Sequence, residues 1–244
     1  MVHAAAISTT LLVVLGFTMI LPTFFPNARS KNPLRIMLSF SVLDVGNVSK
    51  WCNDLSYMLK TESIKATVFF TGKVADRYPE CVGIFGDDVD LGSQTYNYVN
   101  LTSLADYSLQ LQEIEKGKHA VDQAGDIYTR VFKAPYSSTD GNIYSLLSRS
   151  DIAADFSYAK QYNIFFNNQF LKFDTTSYSG SAYPVDFFLA LPKTTQPIII
   201  TFDNTTPTVR INEFLLKLKQ SDVKLVNASE IAGFTLTLRR SCPA

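Results

Sequence analysis

The chain has 244 residues, of which 46% are hydrophobic and 18% charged, enough for one domain of about 200 residues with a real core plus an extension. Lys plus Arg equals Asp plus Glu at 22 each, which excludes the basic surplus of a nucleic-acid-binding domain and the acidic surplus of a solvating tail. With only two histidines, His3 and His119, a hydrolytic metal site would have to lean on carboxylates.

The first predicted element is apolar. From Ala4 to Phe25 no residue is charged, and Leu11 to Leu15 form an unbroken aliphatic run. At 1.5 Å per residue this length crosses a hydrocarbon core of roughly 30 Å. It exceeds the core of a secretory signal, and Pro26-Asn27-Ala28 is a poor cleavage site. The segment is apolar all round rather than along one stripe, unlike a soluble helix. Residues 1–32 therefore read as a transmembrane anchor, spanning residues 4–25, with a short linker, and residues 33–244 as the domain. Ala4, Ala5, Ala6, Ser8, Thr9, Thr10 and Gly16 are small enough to let a second membrane helix approach closely. Arg29, Lys31 and Arg35 follow the segment, which favours a cytoplasmic domain. The sequons at Asn47, Asn100, Asn204 and Asn227 are glycosylation candidates that point the other way. Cys52, Cys81 and Cys242 allow one disulfide, with the pairing open.

Beyond the linker, runs of strand length alternate with stretches of helical period. The predicted strands are Arg35–Phe40, Ala66–Thr71, Val89–Ser93, Arg130–Ala134, Ile152–Phe156, Ile198–Phe202 and Lys224–Val226. Thr67-Val68-Phe69-Phe70 and Ile198-Ile199-Ile200 are continuous apolar or β-branched runs, suited to parallel strands buried on both faces. Trp51, Cys52, Leu55, Met58 and Leu59 share one helical face; Tyr107, Leu111, Ile114 and Val121 share another, opened by a capping box of Ser103 and Asp106. A third helix takes Thr206 as N-cap and Pro207 as its first residue, then buries Ile211, Phe214, Leu215 and Leu218. This alternation predicts an α/β fold with a parallel sheet, closed or open, and a site at the C-terminal ends of the strands.

At those ends the chain resembles the polysaccharide deacetylase family, carbohydrate esterase family four, also called the NodB-homology domain. Ile64 to Gly72 is similar to the family's second strand, and Val89 to Thr102 to its E-I-G-N-H-T-Y-x-H-x-N-L-T segment. Phe132-Lys133-Ala134-Pro135-Tyr136 resembles F-R-x-P-Y, and Phe214 to Gly233 the closing helix and strand. The resemblance spans roughly Leu34 to Gly233 and implies a distorted seven-stranded parallel (β/α) barrel. It also favours a domain outside the cytoplasm, at the cell envelope.

Active members hold a divalent metal, usually zinc, with one Asp and two His, and use a second Asp as base and a further His as acid. The metal polarises the amide carbonyl of an N-acetylated sugar and activates a water, whose proton the base takes. Here the T-F-D-D motif corresponds to Ser39-Phe40-Ser41-Val42, so Ser41 replaces the base and Val42 the ligand carboxylate. Gln94 and Tyr98 replace the ligand histidines, Lys133 the motif arginine, and Phe202, ahead of Asp203, the acid histidine. Valine offers no lone pair, and a carboxamide and a phenol are poor zinc ligands at neutral pH. The resemblance thus implies a degenerate member without metal cofactor.

A pocket walled by Gln94, Tyr96, Tyr98, Lys133, Tyr136, Phe156, Tyr158 and Asp203 is expected to pack sugar rings on aromatic faces. Its partner would be an envelope glycan. Alternatives are a structural subunit of a membrane protein complex with a blocked pocket, and a deacetylase with atypical ligands. Asp44, Asp155 and Asp203 would then hold a hard cation through oxygen. His119 is expected to be solvated at a helix end, after the polar run from Glu115 to Lys118.

Overall fold

The computed structural model describes residues 33–193 and 196–233. The anchor assigned to residues 4–25, His3 and Cys242 lie outside the described residues. Among the described residues no helix is long and apolar enough to cross a membrane.

The strands in chain order are β1 (Leu34–Val42), β2 (Ala66–Phe70), β3 (Val89–Ser93), β4 (Val131–Phe132), β5 (Ala154–Asp155), β6 (Gln161–Phe166), β7 (Gln169–Asp174), β8 (Ser177–Ser179), β9 (Ile198–Asp203) and β10 (Val223–Val226). The helices are α1 (Val48–Thr61), α2 (Gly72–Arg77), α3 (Pro79–Gly83), α4 (Tyr107–Gly125), α5 (Gly141–Arg149), α6 (Val185–Leu189), α7 (Thr208–Lys219) and α8 (Ala228–Ala232). All seven predicted strands are present, as β1 to β5, β9 and β10.

The expected closed barrel of seven parallel strands is not what forms. Nine strands make an open, curled path in the order β7-β6-β5-β4-β3-β2-β1-β9-β8, and β10 pairs with β1 off that path. The first half of β1 faces β10 (Leu34 opposite Val223), its second half faces β2 (Val42 opposite Phe70), and its other edge runs along β9 (Ile36 opposite Ile198). Three strands were missed. β6 and β7 form an antiparallel hairpin whose tip, Asn167 and Asn168, has left-handed backbone (φ 48° and 65°), the turn chemistry a two-residue hairpin needs. β8 pairs with the edge of β9. At the base of the hairpin the Thr175 N–H donates to the Lys160 carbonyl (3.0 Å), and the Ser177 N–H, at the start of β8, donates to the Ala159 carbonyl ahead of β6 (2.6 Å).

Alternation sorts side chains by face. Along β1, Leu34, Ile36, Leu38, Phe40 and Val42 join the apolar layer under the helices, together with Ile198, Ile200 and Phe202 of β9. The opposite face holds Met37, Phe69, Val131, Ala154 and Ile199, closed off by Phe156 and Tyr162. Above this inner apolar floor the concave face turns polar: Ser39 and Ser41 of β1 and the segment after β4 reach it. At 25 cal/mol per Å² a fully buried Phe69 or Met37 contributes about 2–3 kcal/mol, which fixes the register that points the serines inward.

Local signals explain several boundaries. α1 is capped by Asn47, which accepts the Lys50 N–H at 3.0 Å, and α5 by Asp140, which accepts that of Ile143 at 2.9 Å. The cysteines of α1 and α3 pair, as a Cys52–Cys81 disulfide. The capping box assigned to Ser103 does not form: Asp106 is the N-cap of α4, its carboxylate accepting the Ser108 N–H at 2.8 Å. Pro207, not Thr206, is the cap residue of α7; Thr206 is buried and its carbonyl accepts from the Trp51 indole at 3.1 Å. His119 is exposed as expected but lies inside α4 rather than at its end. In the run before it Glu115 and Lys116 are exposed, whereas Gly117 and Lys118 are buried. Gly117 packs where a Cβ would meet the Gln94 carbonyl oxygen at 2.4 Å, and Lys118 is buried against Asp122 at 2.7 Å.

Candidate functional site

At the C-terminal ends of β1, β3, β4 and β9 lies a cavity of about 330 Å³, within the range of small-ligand sites. Of the residues singled out from the sequence, Ser41, Gln94, Tyr98, Lys133, Tyr136, Phe202 and Asp203 line it. A smaller space at the opposite end, near Asp90 and Ser229, is about 250 Å³. There the Asp90 carboxylate accepts the Ser229 N–H at 2.6 Å, which ties down the start of α8.

Three expected wall residues, and Val42 at the replaced ligand position, lie elsewhere. The Tyr96 hydroxyl donates to Asp76 at 2.8 Å and its ring lies 3.7 Å beneath the Lys116 ammonium, on the surface between α2 and α4. Phe156 is buried in the inner floor, stacked 5.5 Å from Tyr162. The Tyr158 hydroxyl donates to the Thr139 carbonyl. Val42 is fully buried in the outer apolar layer. What pattern reading missed is a hydroxyl wall of Ser137, Ser157, Ser179, Ser181 and Thr201. The alternating Ser177-Tyr178-Ser179-Gly180-Ser181 is a period-two signal that would have placed part of it on a strand.

The Lys133 ammonium sits at the centre of the inner face. It donates to Ser39 Oγ at 3.3 Å and Ser41 Oγ at 3.2 Å, with the Phe69 ring 5.6 Å away. Burial pushes its pKa down to about 8, against a smaller opposing pull from the Asp203 charge. The Asp203 carboxylate accepts from both the backbone N–H (2.9 Å) and the hydroxyl of Thr205, so it faces the approach to α7. Ser41 is only 7% exposed.

Tyr98 and Tyr136 form the rim, ring centroids 5.4 Å apart and tilted 59°. Both have left-handed backbone, φ 59° and 58°, and Ser137 follows at 54°. Three non-glycine residues held this way at one cavity mouth store strain where function is commonly found. Burial first, then the neighbouring Tyr136 and Asp203, raises the Tyr98 pKa above its usual value, so the phenol stays neutral.

The donors present do not fit a metal. Val42 has no lone pair and faces the helices; the Gln94 amide donates to the Phe69 carbonyl at 3.1 Å; Tyr98 keeps its proton. The carboxylates proposed as substitutes do not converge either, since only Asp203 lines the cavity. Asp44 forms ion pairs with Arg77 (2.9 Å) and Lys73 (3.2 Å). Asp155 is fully buried and saturated by Ser157, by Asn163 at 3.3 Å and by Tyr144 at 3.3 Å. Among the described residues no group of three or more His, Cys, Asp or Glu could hold an ion.

The sequons differ in availability. Asn204 is committed to the loop after β1, accepting the Leu43 N–H at 2.9 Å and donating to the Leu43 and Val45 carbonyls at 2.8 Å. Asn227 is buried as the cap of α8. Asn47 is exposed and Asn100 partly so.

The model of a known family, polysaccharide deacetylase, matches residues 29–154, more than half of the chain. Among solved structures, a CE4 family pseudoenzyme from Bacillus anthracis is similar at 16% identity and a TM-score of 0.62, covering 82% of this chain and 66% of its own. A mutant of that pseudoenzyme with restored enzymatic activity is similar at 14% identity and TM-score 0.62, covering 83% of this chain and 68% of its own. The peptidoglycan deacetylase PdaC from Bacillus subtilis is similar at 16% identity and TM-score 0.62, covering 83% of this chain and 91% of its own. No curated protein matches the chain.

Proposed function

Since the chain belongs to the polysaccharide deacetylase family, we propose that it keeps that family's fold and cleft without its chemistry, as a non-catalytic glycan-binding domain. One observation carries this reading: the cavity is present while the three positions resembling the family's metal ligands hold an alkyl group turned away from it, a carboxamide and a phenol, none placed to hold a metal. The similar Bacillus anthracis pseudoenzyme is a precedent for the fold outlasting the reaction.

The wall suits a saccharide. The Tyr98 and Tyr136 rings offer apolar faces for the C–H face of a pyranose, while the serine and threonine hydroxyls, which both donate and accept, match its OH groups. Strain held at Tyr98, Tyr136 and Ser137 preorganises that rim, so little order has to be gained on binding. An anchor at residues 4–25 would set the domain at the envelope surface, where such glycans occur.

Calorimetry with N-acetylglucosamine oligosaccharides, beside an acetate-release assay, tests the proposal. Binding without acetate release is the expected result, with affinity lowered about tenfold by Tyr98→Ala or Tyr136→Ala, the loss of one stacking face being worth about 1–1.5 kcal/mol. Zinc-dependent acetate release, or the absence of heat with any envelope glycan, would refute it.

A further inference from the structure

An ammonium has three N–H donors. Those of Lys133 reach two neutral hydroxyls, Ser39 Oγ at 3.3 Å and Ser41 Oγ at 3.2 Å, both long for a charge-assisted bond. No carboxylate lies within ion-pair distance of it among the described residues. Among the described residues Asp203 is the only acid lining the cavity, and the N–H and hydroxyl of Thr205 both bond its Oδ1, which turns that oxygen toward the start of α7. The tyrosines facing the same space, Tyr98 and Tyr136, carry no charge to offset the ammonium. Below it lies the apolar floor of Met37 and Phe69.

Lys133 is half-buried, and even partial removal of a charge from water without a close counter-charge is costly, so proteins rarely keep such a group without use. Lys133 reaches the inner end of the cavity with one donor to spare, and the space before it is walled by hydroxyls and rimmed by two rings. An anionic group entering from the mouth would supply the missing counter-charge where water is scarce and the attraction strongest. The hydroxyl wall then suits the rest of the ligand.

We propose that the cavity takes a saccharide bearing a carboxylate, with the Lys133 ammonium as its anchor and Ser39 and Ser41 holding that ammonium in place. This rests on the glycan-binding reading and narrows it to acidic sugars. Neutral pyranoses satisfy the hydroxyl wall but leave the cation unpaired; a uronic acid satisfies both.

The test is calorimetry on the intact protein at pH 7 with three probes: a disaccharide containing glucuronic acid, the neutral N-acetylglucosamine disaccharide, and sodium acetate. The acidic disaccharide should bind at least tenfold tighter than the neutral one, and acetate far more weakly than either disaccharide. Lys133→Met should abolish the difference between the disaccharides. A wild-type measurement guards against misfolding of that variant. At pH 8 the free group is about half protonated, so binding of the acidic disaccharide should take up protons, seen as heats that differ between buffers of unlike ionisation enthalpy. Equal affinities, or an acidic advantage that persists in Lys133→Met, would overturn the anchor while leaving glycan binding intact. Acetate binding as tightly as the acidic disaccharide would overturn the saccharide part. Failure of all three probes to bind would overturn both readings.

Discussion

Lys118 on the flank of the domain and Lys133 in its cavity both carry an ammonium inward, in opposite company. Lys118 lies 2.7 Å from Asp122, whose second oxygen accepts the Thr129 N–H at 2.6 Å, and it covers the Tyr128 ring at 3.8 Å. Every charge there has its counter-charge, and the unit joins α4 to the segment entering β4. Lys133 has two hydroxyls and open space. Completed polar groups indicate architecture, whereas a charge left incomplete beside a cavity indicates a ligand.

The largest expected effect lies on the completed side. Asp122→Ala removes the counter-charge of Lys118 and the acceptor for Thr129, and should lower unfolding free energy by about 3–5 kcal/mol in urea titration. A loss below about 1 kcal/mol would erase the contrast. Next comes Asp155, a completed group buried behind Ser157 of the cavity wall. Burial, opposed by bonds from Ser157, Asn163 and Tyr144, raises its pKa from 3.8 to about 6. Asp90, buried at the opposite end, is raised likewise to about 6. A raised carboxyl holds its proton longer in the folded state, so its contribution is present below pH 4 and lost as pH climbs through 6. Thermal scans should show stability falling between pH 4 and 6, more gently in Asp155→Asn.

Gly117 links the two regions, because it precedes Lys118 and packs against the Gln94 carbonyl. Gly117→Ala should cost about 1–3 kcal/mol by overpacking and shift Gln94 at the cavity, visible as altered glycan affinity. The smallest effect is expected at Lys133. Lys133→Met should leave stability unchanged or higher by about 1 kcal/mol at pH 7, since an unpaired cation is replaced by an apolar chain. A lysine with a lowered pKa adds stability above pH 10.5 that is lost as pH falls through 8. Wild-type stability should therefore rise from pH 8 to 10.5, and the variant should lack that rise.

Much of the fold was legible in the chain. Continuous runs such as Ile198-Ile199-Ile200 announced strands buried on both faces, and spacing such as Trp51, Leu55, Leu59 announced α1. The hairpin β6–β7 was harder: its strands carry mixed exposure, and the turn at Asn167-Asn168 has no glycine to mark it. Within the site, motif positions identified Ser41, Gln94, Tyr98, Lys133, Tyr136, Phe202 and Asp203. Tyr96 and Phe156 were misplaced because the faces reached after a strand ends depend on loop backbone, such as the left-handed Tyr98, and period-two alternation does not extend into it.

The amino-acid order by itself determined that the fold would be α/β and which residues stand at the positions resembling the family's motifs, Ser41, Val42, Gln94, Tyr98 and Phe202, because these depend on local pattern and residue chemistry. Only the tertiary structure decided which polar groups are completed. It paired Cys52 with Cys81, saturated Asp155, withdrew Asp44 to the surface and left Lys133 facing a cavity. The reason is physical: whether a buried charge is costly depends on the few ångströms around it, and those neighbours come from strands far apart in the chain.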